Sequence, residues 1–315
     1  FELAQLDQGT LDAALLAIAD AVEAQTDEII AANKQDLDKS GDYNVPQTMI
    51  DRLTLTPNRI AQMAEGVRQV AALDSPVGSV METITRPNGL TIEKRAVPFG
   101  VIGIIFEARP NVTIDAGVLC LKTANATILR GGKEAFHTNQ IIVSIMRNTL
   151  ESLGINGDAI QLVEVLDRDM VGVLLQQREY IDVIIPRGGA GLIRRVVEES
   201  SIPVIETGSG VCHTFVDEYA NLDMALDIAI NAKVQRPSVC NAMETLLVHQ
   251  AVADEFLPRL DTALQEYGVR IHGDEAVAQY MKHTIPLTET SFNTEYNDMD
   301  LNVRIVENLE EAIDH

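Results

Sequence analysis

Residues 101–130 read VIGIIFEARPNVTIDAGVLCLKTANATILR, and this stretch decides the fold. Residues 101–107 form an apolar run that ends on a charge. Residues 112–124 carry apolar side chains at helical spacing. Residues 126–130 form a second apolar run, followed at once by Gly131-Gly132. A strand buried on both faces, a helix and another such strand make the crossover unit of a parallel sheet.

The alternation continues. Residues 133–150 read as helix, 160–165 as strand, 170–178 as helix and 181–186 as strand before Gly188-Gly189. Residues 191–200 then read as helix and 202–206 as strand. After the run Glu206-Thr207-Gly208-Ser209-Gly210 the pattern restarts. Residues 211–217 and 244–249 read as strands, 224–235 and 251–268 as helices, and RPSVCNA (236–242) as a turn. The expectation is an α/β chain of two domains, a parallel-sheet cofactor domain over 1–80 and 98–210 and an α/β catalytic domain from 211 to 315. A chain of 315 residues exceeds the usual size of one domain. Upstream, the first thirty residues read as one amphipathic helix through Leu3, Leu6, Ala14, Leu15, Ile18, Ala19 and Val22. A second helix starts at Thr56-Pro57, threonine as cap and proline in the first turn. Residues 81–97 contain Asn88-Gly89, the signal of a two-residue hairpin that would pair with another subunit.

Composition bounds the function. The apolar fraction is 46% and the charged fraction 23%, as in globular proteins. The net charge is 24 − 47 = −23, which repels phosphate backbones and anionic lipid surfaces. Nucleic acid and membrane are therefore not expected partners. No apolar run reaches the roughly 20 residues of a bilayer span. Cys120, Cys212 and Cys240 are odd in number and irregular in spacing. They form neither a disulfide framework nor a zinc site, so the expected compartment is the cytoplasm and no metal is expected. The chain opens on Phe1 and closes on Glu-Ala-Ile-Asp-His, the start of a helix, so a longer native chain is expected.

Several residues carry candidate chemistry. Cys240 lies in a turn between helix and strand, where a nucleophile is presented, with Arg236 near in sequence to favour its thiolate; the alternative is a small packed thiol. Arg109 and Asn111 follow the first buried strand. One suits an anionic group and the other a developing oxyanion, against the alternative of a solvated arginine and a helix-capping asparagine. Arg130-Gly131-Gly132-Lys133 and Arg187-Gly188-Gly189 sit where a phosphate meets strand ends and helix N-termini, or else make tight turns. Glu206 suits a base, a cofactor ligand or an interdomain ion pair.

Taken together, VPFGVIGIIFEARPNVTIDAGVLCLKTANATILRGGKEA, IIPRGGAGLIRRV, PVIETGSGVCH and RPSVCNAMETLLVH resemble the γ-glutamyl phosphate reductase family, a branch of the aldehyde dehydrogenase superfamily. The resemblance spans essentially the whole chain. It implies an aldehyde dehydrogenase-like fold with an oligomerisation hairpin, a homodimer or higher assembly, and more catalytic domain beyond His315. It implies reduction of L-glutamyl 5-phosphate by NADPH to L-glutamate 5-semialdehyde, with release of phosphate, in proline biosynthesis. Cys240 would form the thioester, with Asn111 or Arg109 at the substrate. Arg130 would lie at the adenosine side of the cofactor. Lys133 stands where enzymes that prefer NAD often have glutamate, which favours the 2′-phosphate of NADP. Glu206 matches the superfamily's base for thioester hydrolysis and, in a reductase, is expected to contact cofactor or structure. Another cysteine-dependent aldehyde or acyl-phosphate dehydrogenase of the same superfamily is the alternative.

Overall fold

The computed structural model describes all residues except 1, 44–46, 108, 168, 207 and 209, and the side chains of 47 and 48. The chain divides into two compact units, Phe1–Thr207 and Gly208–His315.

The first unit begins with four helices: α1 (Gln8–Ala24), α2 (Thr26–Asp38), α3 (Gln47–Leu53) and α4 (Pro57–Ala72). The single N-terminal helix expected from periodicity is in fact two. Gln25 leaves helical geometry at φ −107°, ψ 27°, and α2 restarts with Asp27 and Glu28 in its first turn, where carboxylates favour a helix N-terminus. Asp7 caps α1 by accepting from the N–H of Thr10. Thr56 caps α4 by accepting from that of Arg59, with Pro57 following, as its sequence signals.

Strands β1 (Val80–Thr85) and β2 (Thr91–Arg95) pair antiparallel and are exposed throughout. Their connection differs from the two-residue turn expected at Asn88-Gly89. Thr85 pairs with Thr91, so the loop runs over 86–90. A two-residue turn at Asn88-Gly89 would need the N–H of residue 87 to pair with Leu90, and Pro87 has none, whereas its fixed φ suits the second position of a turn starting at Arg86. The chain therefore turns through Arg86–Gly89, with the Gly89 N–H donating to the Arg86 carbonyl and Gly89 at φ 85°.

The core of the unit follows in chain order: β3 (Val101–Phe106), α5 (Pro110–Lys122), β4 (Ala126–Arg130), α6 (Phe136–Ser152), β5 (Ile160–Leu162), α7 (Asp169–Leu174), β6 (Val183–Arg187) and α8 (Ala190–Glu199). The strands lie in the order β5-β4-β3-β6, all parallel. Period-two alternation sorts β3 between two cores. Ile102, Ile104 and Phe106 join the cluster formed with α1, α4, α5 and α6. Ile105 joins Val171, Leu174, Ile184 and Val196 on the other face. Gly103 is packed so tightly there that a Cβ would lie 2.5 Å from Ile184 Cδ1. The strand expected at 202–206 is reduced to one bridge, Val204 to Ile184; Pro203 has no N–H to extend it.

The second unit contains β7 (Cys212–Val216), α9 (Leu222–Val234), β8 (Met243–His249), α10 (Ala253–Glu266), β9 (Arg270–Gly273), β10 (Ile285–Pro286), β11 (Asp300–Val306) and α11 (Leu309–Asp314). Its sheet is also parallel, in the order β10-β9-β11-β8-β7, and every residue of β8 is buried. Among the described residues no helix is long and apolar enough to cross a membrane.

One buried carboxylate ties the helical layer to the start of α6. Asp36, 2% exposed, accepts from the N–H groups of His137 and Thr138 at 3.0 and 2.8 Å and from Thr138 Oγ1 at 2.6 Å. Asp36→Ala leaves these donors without an acceptor and should lower the unfolding free energy by about 2 kcal/mol or more. Urea denaturation checks this, and a loss below about 0.5 kcal/mol, the scale of a neutral surface change, would contradict it.

Candidate active site

In the first unit the chain runs from β3 outward to β4 and β5, then returns to β6 on the other side of β3. The crevice between the β3 and β6 ends is therefore the topological switch point, where ligands of such sheets bind. Glu107 N–H donates to the Arg187 carbonyl at 3.3 Å, and Glu107 Oε2 accepts from Gly189 N–H at 3.2 Å. Glu107 thus sits at the N-terminus of α8. No role follows for Glu107 from the local sequence; its place directly after the strand is the one signal there. Gly188 makes room for it, since a Cβ there would lie 2.7 Å from its Cδ. Gly189 is more open and Gly191 has nothing within 4 Å of a Cβ position. The start of α8 is thus open around Gly191, while the Gly189 N–H is held by Glu107.

The Arg130–Lys133 turn is built differently from its expectation. Gly131 is a packing glycine: a Cβ would lie 2.2 Å from Asn139 Nδ2 and 3.1 Å from the Phe106 ring. Gly132 precedes a short 3-10 turn at φ −62°. Arg130 is 6% exposed, and its guanidinium donates to the Gly131 carbonyl and to those of Leu166 and Asp167 at 3.2 and 3.3 Å. It ties the end of β4 to the loop before α7. Lys133 is half-buried, with Nζ 4.4 Å from the centroid of the Tyr43 ring, a cation–π contact. Tyr43 lies just past α2, and nothing in the local sequence ties it to Lys133.

Arg109 is the N-cap residue of α5, with Pro110 in the first turn; its backbone N–H donates to the Glu107 carbonyl at 2.7 Å. Asn111 is exposed, and its Nδ2 donates to Asp115 Oδ2 at 3.1 Å. Glu206 is exposed. Its neighbour Thr207, Ser209 of the same run, and Ala108 lie outside the described residues.

In the second unit Cys240 lies in two successive turns between α9 and β8, closed by Val239 N–H to the Arg236 carbonyl and Ala242 N–H to that of Val239. Cys240 is half-buried and Arg236 exposed. The thiol thus stands at the N-terminal end of β8, opposite in sense to the strand ends that form the switch point of the first unit. Cys212, expected to serve packing, opens β7 beside this loop, and its Sγ donates to the Cys240 carbonyl at 3.4 Å. Gly210 permits the approach; a Cβ there would lie 2.6 Å from the same carbonyl oxygen. No disulfide joins the three cysteines. Among the described residues no group of three His, Cys, Asp or Glu side chains is placed to hold a metal ion.

Two parallel-sheet units, one with a switch-point crevice and the other presenting a cysteine at a strand start, define a class. The chain belongs to the aldehyde dehydrogenase family, whose model matches residues 2–279. It is 50% identical over 314 residues to γ-glutamyl phosphate reductase of Thermobifida fusca, covering 100% of this chain and 75% of the relative. It is 52% identical over 313 residues to that of Moorella thermoacetica, covering 99% and 75%. The crystal structure of γ-glutamyl phosphate reductase from Thermotoga maritima superposes with a TM-score of 0.88 at 40% identity, covering 99% of this chain and 76% of that one. Within the family this chain groups with the γ-glutamyl phosphate reductases. It spans about three quarters of the length of these relatives. An engineered glycolyl-CoA reductase with bound NADP+ shares the fold at a TM-score of 0.69 and 16% identity.

Burial pushes the Cys120 thiol up to about 11. It also raises Cys212, with the nearby Cys240, Glu244 and Glu295 adding to the effect. Alkylation needs the thiolate. At pH 8, iodoacetamide should therefore label Cys240 first, Cys212 more slowly and Cys120 only after unfolding. Peptide mapping by mass spectrometry checks the order, and early label on Cys120 in the folded protein would contradict it.

Proposed function

We propose that this enzyme reduces L-glutamyl 5-phosphate with NADPH to L-glutamate 5-semialdehyde and phosphate, through a thioester on Cys240. The observation that carries the reading is Cys240 itself, held in the turn between α9 and β8, in a chain half identical to γ-glutamyl phosphate reductases.

The residues of the first unit fit a dinucleotide. The crevice lies at the switch point, and the backbone around Gly191 is open. Bound NADPH supplies the hydride that reduces the thioester. The start of α8 would receive the pyrophosphate, where helix N–H groups favour negative charge, provided Glu107 gives up the Gly189 N–H that it now holds. Lys133 meets the 2′-phosphate, and Tyr43 beneath it holds its ammonium in place. Arg130 acts through the loop it ties, since its guanidinium faces backbone carbonyls. Glu206 contacts cofactor or structure, because water attack on the thioester would waste the acyl group.

In the second unit the Cys240 thiolate attacks the acyl carbon, and the bond to the phosphate oxygen breaks with its electron pair leaving on phosphate. Phosphate is a good leaving group, so the thiolate suffices without a metal. The Cys240 backbone N–H steadies the oxyanion. Arg236 supplies a cation for the anionic substrate; for Arg109 and Asn111, both in the first unit, a role at the substrate rests on the family resemblance. After hydride addition the thiohemiacetal on Cys240 expels the aldehyde, and the thiolate returns. The exposed β1-β2 hairpin, with Met81 66% and Leu90 55% exposed, pairs with a second copy of the chain. The compartment is the cytoplasm.

The reaction run backward tests this. With L-glutamate 5-semialdehyde and NADP+, NADPH formation should require phosphate and vanish in Cys240→Ala. Turnover without phosphate would indicate a hydrolytic aldehyde dehydrogenase, and turnover surviving in the variant would overturn Cys240 as nucleophile. Lys133→Glu should weaken NADPH about tenfold or more while sparing NADH, the loss of a charge-assisted contact. Equal loss with both cofactors, measured as kcat/KM, would remove Lys133 from the 2′-phosphate.

A further inference from the structure

Lys233 lies in the last turn of α9 and Glu244 is the second residue of β8, so they stand on the two stems of the loop that carries Cys240. Lys233 Nζ lies 2.8 Å from Glu244 Oε2, with the side chains 0% and 1% exposed. The other oxygen, Oε1, accepts from the backbone N–H of Asn297 at 3.1 Å. The pair therefore joins helix, strand and the segment before β11 at one buried point. Cys212 adds a tie to the loop itself through the Cys240 carbonyl.

Stability alone is a weak reason for such a pair. Removing both charges from water offsets most of their attraction, and apolar residues of similar volume often serve a core as well or better. What apolar residues lack is directionality. An ion pair with a hydrogen bond fixes the distance between two backbone stems, whereas a packed apolar contact tolerates sliding. A nucleophile displaced by as little as about 1 Å loses much of its rate.

We propose that Lys233 and Glu244 are positioning residues for Cys240, clamping the stems of its loop so that the thiol is presented in a single geometry. The proposal rests on Cys240 as the nucleophile. The pair does not touch the substrate; it acts through the loop at 235–242.

The test separates stability from presentation. In the double variant Lys233→Met/Glu244→Leu, thermal unfolding should occur at the wild-type temperature or above, and NADP+ affinity by calorimetry should be unchanged. The rate of Cys240 alkylation by iodoacetamide should fall, and kcat should fall about tenfold or more with KM little altered. A stable double variant with wild-type alkylation rate and kcat would overturn the proposal. If the double variant fails to fold, Glu244→Asp keeps the charge and shortens its reach. It should slow Cys240 alkylation with NADP+ affinity intact, while an unchanged rate overturns the clamp. The underlying reading fails differently: wild-type enzyme fully alkylated at Cys240 yet still active would dismiss the nucleophile, whatever the variants do.

Discussion

A parallel sheet buried on both faces can offer chemistry only at its strand ends. Both units obey that constraint. In β3, Ile102, Ile104 and Phe106 face one core and Ile105 the other, so polar groups begin where the strand stops, at Glu107. In β8 all seven residues are buried, and Cys240 precedes the strand. The two units use opposite ends of their strands. The first places backbone N–H groups of α8 at the C-terminal ends, which suits an anion. The second places a cysteine in the helix-to-strand turn before β8, where short turns and a buried pair hold it.

That difference explains the composition of the two sites. The proposed cofactor side offers glycines, helix amides and a lysine resting on an aromatic ring, groups suited to phosphate charge. The cysteine side has a thiol whose peptide is contacted by a second thiol and whose stems are joined by an ion pair. Cys120, buried in α5 with its thiol pushed up to about 11, shows how the same residue type becomes inert when packing surrounds it.

The strand-helix alternation was legible because fully buried strands leave continuous apolar runs, and the Cys240 turn was legible because RPSVCNA interrupts them. What local patterns misjudged has physical causes. Apolar periodicity persists across Gln25, so the break between α1 and α2 was invisible. Pro87 overrode the turn signalled by Asn88-Gly89. The run at 202–206 is apolar enough for a strand, yet Pro203 limits it to one bridge. Strand ends facing a ligand are legible from the alternation, but the switch point needs the strand order, and nothing local to Glu107 signals its bond to Gly189. Arg130 looked like a ligand-facing cation because sequence does not show which carbonyls a guanidinium reaches. Lys233 and Glu244 are 11 residues apart across a helix end, a turn and a strand start, a spacing that matches neither helical nor strand periodicity.

The central claim is that Cys240 carries the acyl group. Intact-protein mass spectrometry tests it most directly. With L-glutamate 5-semialdehyde and NADP+ but no phosphate, the enzyme should gain a γ-glutamyl mass on Cys240 after a stoichiometric burst of NADPH, and added phosphate should remove it. A burst with no adduct, or an adduct that maps to any residue other than Cys240, would contradict the account.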